Sequence, residues 1–138
     1  MRLAIVGMLA VILTAACSTE RSRDSNARQL SGAEMYERLC SSCHGPTGHG
    51  DGPVASLMKV DVPDLTRIAH RDGGEFPTED LRRAIDGRWN RAAHGTREMP
   101  VWGWQLYDLS SQNKAQERAV VDSMIDRLVN YLRGIQVE

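Results

Sequence analysis

Cys40-Ser41-Ser42-Cys43-His44 places two thiols and an imidazole within five residues, the spacing at which a c-type haem is attached. Each sulfur can close a thioether to one vinyl group of the porphyrin, and the adjoining histidine can then offer its imidazole to the iron. With three Cys and four His in 138 residues, such a run arises by chance roughly twice in a thousand chains. Two other chemistries compete for the same residues. A structural zinc site needs four ligands, and the only other cysteine lies at position 17. A dithiol redox pair expects a βαβ setting, whereas the flanking sequence reads as helical. No Ser/His/Asp or paired-carboxylate arrangement can be argued from spacing.

A helix must carry this motif. Ser31-Gly32-Ala33-Glu34 fits a capping box, and the helix it starts is predicted to run to about Cys40, with Ala33, Tyr36, Leu39 and Cys40 near one face. From Gly45 to Gly52 the chain is glycine-rich, which predicts several positive-φ residues in a loop wrapping the edge of the cofactor. Pro53 to Lys59 is predicted to make a short helical turn, and Val60 to Leu65 an extended segment imposed by Pro63. A second clear helix is expected from Pro77-Thr78, with Thr78 as N-cap, Leu81, Ala84 and Ile85 on its apolar face, and Gly87 at its end. A loop should follow through Arg91 and His94 to Trp104. The last helix is predicted from about Ser111 to Gly134, with Val120, Met124, Leu128, Tyr131 and Ile135 as its buried stripe. Neither internal repeats nor strand alternation can be discerned.

In these features, residues 31 to 138 resemble a small monohaem cytochrome c of the class I type. The resemblance implies an all-α domain of three to five helices wrapped around one covalently bound haem c. It also implies a first helix packed on the last near the cofactor through a small residue and an aromatic. Gly32 and Tyr36, eight and four residues before Cys40, match that pattern, and Tyr131 matches the aromatic on the last helix. The family often supplies its second axial ligand as a Met before Pro, and Met99-Pro100 fits, because a residue before proline is held out of helix. Met58 and the histidines 49, 70 and 94 are the rivals, while Met35 and Met124 fall on helices where methionine fills core. By the same resemblance, Pro63 or else Pro53 should offer a carbonyl to His44, with Leu65 touching the haem. Arg88, Trp89, Arg91, Trp102 and Trp104 could reach the propionates, although arginines are equally expected in solvent and tryptophans in core. Asp108 and Asp122 read as solvated.

The N-terminus points away from the cytoplasm. Arg2, an apolar run from Leu3 to Leu13 and the small residues Thr14-Ala15-Ala16 have the layout of a secretory signal, and the run is shorter than the ~20 residues a membrane-spanning helix needs. Leu13 to Cys17 also resembles the lipobox of bacterial lipoproteins, with leucine one place early; ordinary cleavage leaving a free thiol is the alternative. The organisation expected is therefore a signal peptide over 1–16, a lipidated flexible tether over 17–30, and the haem domain over 31–138. Ser18 would by resemblance favour sorting to the outer membrane, leaving a lipid-anchored periplasmic protein. Cleavage removes Arg2 and leaves 16 basic and 18 acidic side chains, dispersed without a basic stripe, which argues against nucleic acid.

The expectation for the whole chain is electron transfer between redox protein partners by a non-enzymatic carrier, monomeric outside any complex. The alternatives are a haem subunit of a larger oxidoreductase and a sensor or peroxidase in which Met99 is labile.

Overall fold

The computed structural model describes residues 28–88 and 99–137. The signal, Cys17 and most of the tether, together with Trp89, Arg91 and His94, lie outside the described residues. Among those described there are six helices and no strand: α1 (Gly32–Leu39), α2 (Ser41–His44), α3 (Ile68–Arg71), α4 (Thr78–Asp86), α5 (Trp102–Gln105) and α6 (Lys114–Gly134). The count exceeds the three to five expected because α2, α3 and α5 are four-residue pieces, too short to leave an apolar period in the sequence.

α1 starts as its sequence dictates. The Ser31 hydroxyl accepts from the Glu34 N–H at 3.2 Å, and the Glu34 carboxylate accepts from the Ser31 N–H at 2.8 Å. Its inner face carries Met35 and Tyr36, both buried, whereas Ala33 is exposed. The face runs one residue away from the predicted line because Gly32, not Ala33, meets α6: a Cβ on Gly32 would stand 2.1 Å from the Arg127 carbonyl oxygen and 2.9 Å from the Tyr131 Cβ. Only glycine lets the two helices approach so closely. The Tyr36 and Tyr131 rings lie 5.0 Å apart beside the crossing.

α6 begins three residues later than predicted, where the Asn113 side chain accepts from the Gln116 N–H at 3.0 Å. Its buried residues are Val121, Met124, Ile125, Leu128, Val129 and Leu132, while Val120, Tyr131 and Ile135 are only half-buried. The predicted stripe was too narrow because α1 and α4 both pack on α6, which widens and turns its apolar sector. Glu117 is buried as well, accepting from the Asp108 N–H at 2.8 Å.

α4 begins at Thr78 with Pro77 in the capping position, so Thr78 is not the cap. Its hydroxyl instead bonds the Phe76 carbonyl and the Arg133 guanidinium of α6. The helix ends at Gly87, whose φ of 67° is left-handed as expected. Ile85 is buried on its inner face and Leu81 half-buried, but Ala84 is exposed. Beyond α6, the Gln136 side chain donates to the Leu65 carbonyl at 2.8 Å and accepts from the Ala69 N–H at 3.0 Å. Val137 N–H donates to the Thr66 carbonyl at 2.9 Å. The end of the chain thus fastens the segment before α3.

Candidate functional site

Cys40 closes α1 and opens α2. Its carbonyl accepts the amides of Cys43 at 3.2 Å and His44 at 2.9 Å, winding the motif into one tight turn. Gly45 stops the turn with φ 78°, and the buried Tyr36 hydroxyl donates to its carbonyl at 2.7 Å. The following loop bonds back onto the turn: Gly50, Gly52 and Val54 donate to the carbonyls of His44, Cys43 and Ser42 at 2.8, 3.1 and 2.9 Å. Gly45, Gly48 and Gly50 take positive φ as predicted, and a Cβ on Gly52 would reach 2.4 Å from the Ser42 carbonyl oxygen. The loop was expected around the cofactor edge. It is fixed against the motif, its amides satisfying the carbonyls that so short a helix leaves unpaired.

In front of the turn is a cleft. Cys40, Cys43, His44, Pro63, Met99 and Trp102 share its wall, completed by Leu39, Met58, Val60, Asp61, Val62 and Pro100. Three chain segments distant in sequence therefore converge on one largely apolar space. Of the described residues expected at the haem, Leu65, Arg88 and Trp104 are elsewhere, Trp104 on the same separate cleft as Arg88. Leu65 does not line the cleft: Asp64 accepts from the Thr66 N–H at 2.8 Å and from its hydroxyl at 2.6 Å, and this turn draws Leu65 into the helical turn Leu65–Arg67. Arg88 lines a different cleft, its guanidinium occupied by Asp86 and Asp122. Asp122 is accordingly no freely solvated charge. Val60 and Val62 were missed; their alternation around Asp61 was the available signal.

His44 Nδ1 lies 3.2 Å from the Pro63 carbonyl oxygen. A carbonyl only accepts, so the proton sits on Nδ1 and Nε2 keeps its lone pair. Burial lowers the pKa of His44 against an opposing contribution from that hydrogen bond, which favours the neutral ring a metal ligand requires. Pro53 is exposed and outside the cleft wall. Of the rival ligands, Met58 shares the wall with Met99, in extended backbone at φ −78° and ψ 148°. His49 faces Asp64 at 3.5 Å, and His70 is exposed on α3.

Burial, then the neighbouring Cys43, pushes the Cys40 thiol up to about 11. Dithiol exchange needs thiolates, which burial disfavours, and among the described residues no group of three or more His, Cys, Asp or Glu is placed to hold a metal ion. Neutral thioethers in an apolar wall suffer no such penalty. The donor set and the cleft therefore fit a covalently attached porphyrin: two neutral sulfurs, an oriented neutral imidazole and apolar walls.

A protein-family model, described as Cytochrome c, matches residues 30–136. The chain belongs to the cytochrome c family. Its cofactor is accordingly covalently attached haem c, and its general work is haem-based electron transfer. No individual curated protein and no solved structure matches this cytochrome significantly.

Proposed function

We propose that this cytochrome c is an extracytoplasmic one-electron carrier with His44 and Met99 as its axial ligands, tethered to a bacterial membrane through Cys17. The bound haem would supply reversible one-electron chemistry at iron. Cys40 and Cys43 would hold it at two points on one turn. Pro63 fixes the imidazole so that Nε2 is the nitrogen available for ligation. Leu39, Val62 and Trp102 would shield the iron's ligand positions, and ligation by both His44 and Met99 would leave no open site for oxygen or peroxide. Among the described residues, Trp102 is the aromatic of the expected rim that lines this cleft.

The observation that carries the reading is the meeting of the Cys40–His44 turn, Pro63 and Met99 in one apolar cleft. Met99 is preferred to Met58 because the proline after it enforces a non-helical backbone. The electron is exchanged with redox protein partners at the periplasmic side of the membrane, and the domain works as a carrier without chemistry of its own. The test is an optical spectrum with potentiometric titration of the purified protein. One haem per chain, a c-type α band on reduction and a methionine-to-ferric-iron charge-transfer band are expected. Rapid carbon monoxide binding by the ferrous protein would instead favour a sensor or peroxidase.

A further inference from the structure

Arg88 stands just beyond the left-handed end of α4, and its side chain is only 10% exposed. Nε donates to one oxygen of Asp86 and Nη2 to the other at 3.0 Å, a forked pair. Nη2 also reaches Asp122 of α6 at 3.4 Å, and the guanidinium carbon lies 6.0 Å from the centre of the Trp104 ring on α5. One side chain thus touches α4, α5 and α6.

Gly103 makes the contact specific. It is buried, and a Cβ there would stand 1.9 Å from the Asp86 carboxylate and 2.4 Å from Arg88 Nε. The backbone of α5 therefore rests directly on the ion pair. The same four-residue helix places Trp102 in the wall of the haem cleft and starts three residues after Met99. Val101 carries the register between them, its carbonyl accepting from Trp104 and Gln105 at 3.0 and 3.1 Å.

We propose that Arg88, forked onto Asp86 beneath Gly103, is a positioning residue that seats α5 and thereby holds Met99 and Trp102 at the haem cleft. The proposal rests on Met99 as axial ligand. A buried ion pair that only stabilised the fold would show the loss of one partner in the denaturation midpoint alone, whereas one that sets a ligand must also be felt at the iron. Lysine lacks the fork and cannot restore the geometry.

The test compares Asp86→Asn, Arg88→Lys and Gly103→Ala in the full holoprotein. Each is expected to retain one covalent haem per chain and native helix content. Each should also lose methionine-to-iron charge-transfer absorption, lower the potential and gain carbon monoxide binding, with Arg88→Lys failing to rescue. Gly103→Ala leaves both charges in place, so it reports on seating even where Asp86→Asn folds poorly. Wild-type absorption and potential in Gly103→Ala and Arg88→Lys would overturn the proposal; loss of covalent haem in all three would overturn it in favour of a general folding role. Failure of the Met99 reading is recognised separately, by Met99→Ala leaving the spectrum and potential unchanged. The clamp is then judged on the potential and on carbon monoxide access in Gly103→Ala, which also respond to the position of Trp102.

Discussion

Two thioethers share the haem cleft, and they should behave differently when removed. Met99→Ala leaves Cys40, Cys43 and His44 untouched, so covalent haem should remain while the potential falls and carbon monoxide gains access to the ferrous iron. Met58→Ala should keep the potential, leaving only a packing defect. Redox titration and carbon monoxide difference spectra of both variants decide the matter, and the reverse pattern would move the ligand to Met58. Proline after Met99 announces its backbone in the sequence. The extended backbone of Met58 does not, because it follows from a short turn closed by the Met58 N–H on the Ala55 carbonyl at 3.1 Å. Leu65 lies off the cleft wall for a similar reason: the Asp64–Thr66 turn decides its direction, and a family pattern centred on Pro63 passes over it.

The crossing of α1 and α6 sets where the attachment turn stands. Gly32→Ala would drive a methyl into the Arg127 carbonyl, a backbone group unable to swing aside. A loss of about 1–3 kcal/mol or more is expected from such overpacking, read as a lower denaturation midpoint with a similar denaturant slope. The capping box predicts a pH dependence. Hydrogen bonds from the Ser31 backbone and hydroxyl hold the Glu34 carboxyl below its ordinary 4.5. Its contribution is therefore complete above that value and disappears as pH falls through the lowered folded pKa. Thermal unfolding of Glu34→Gln should lie below wild type at neutral pH and converge on it in acid; a constant gap would refute the capping role. These helices were legible because caps and close-packed glycines act locally. The buried sector of α6 was not, since its width depends on two neighbours whose positions no period in α6 encodes.

After cleavage before Cys17 the chain would carry 16 basic and 18 acidic side chains, too balanced for strong long-range steering. Among the described residues no helix is long and apolar enough to cross a membrane. Under the proposal that Cys17 is acylated, more than one acyl chain would give stable anchoring. Cys17→Ser should release haem-containing protein into the soluble fraction, and unchanged retention after fractionation would remove the lipid anchor from the proposal.

The fastening of Leu65, Thr66 and Ala69 by Gln136 and Val137 links the aim of the iron ligand to the far end of α6. The attachment turn and its glycine loop are built from contacts within residues 36 to 54, which a growing chain can complete early. The carbonyl that steers the imidazole sits on a strap tied from two sides, by the Leu65 N–H donating to the Gly48 carbonyl at 2.6 Å and by Gln136 donating to the Leu65 carbonyl at 2.8 Å. Removing the Gln136 side chain would leave Cys40 and Cys43 in place and Leu65 held from the loop side alone, so the aim of the iron ligand answers to a residue beyond the far end of α6.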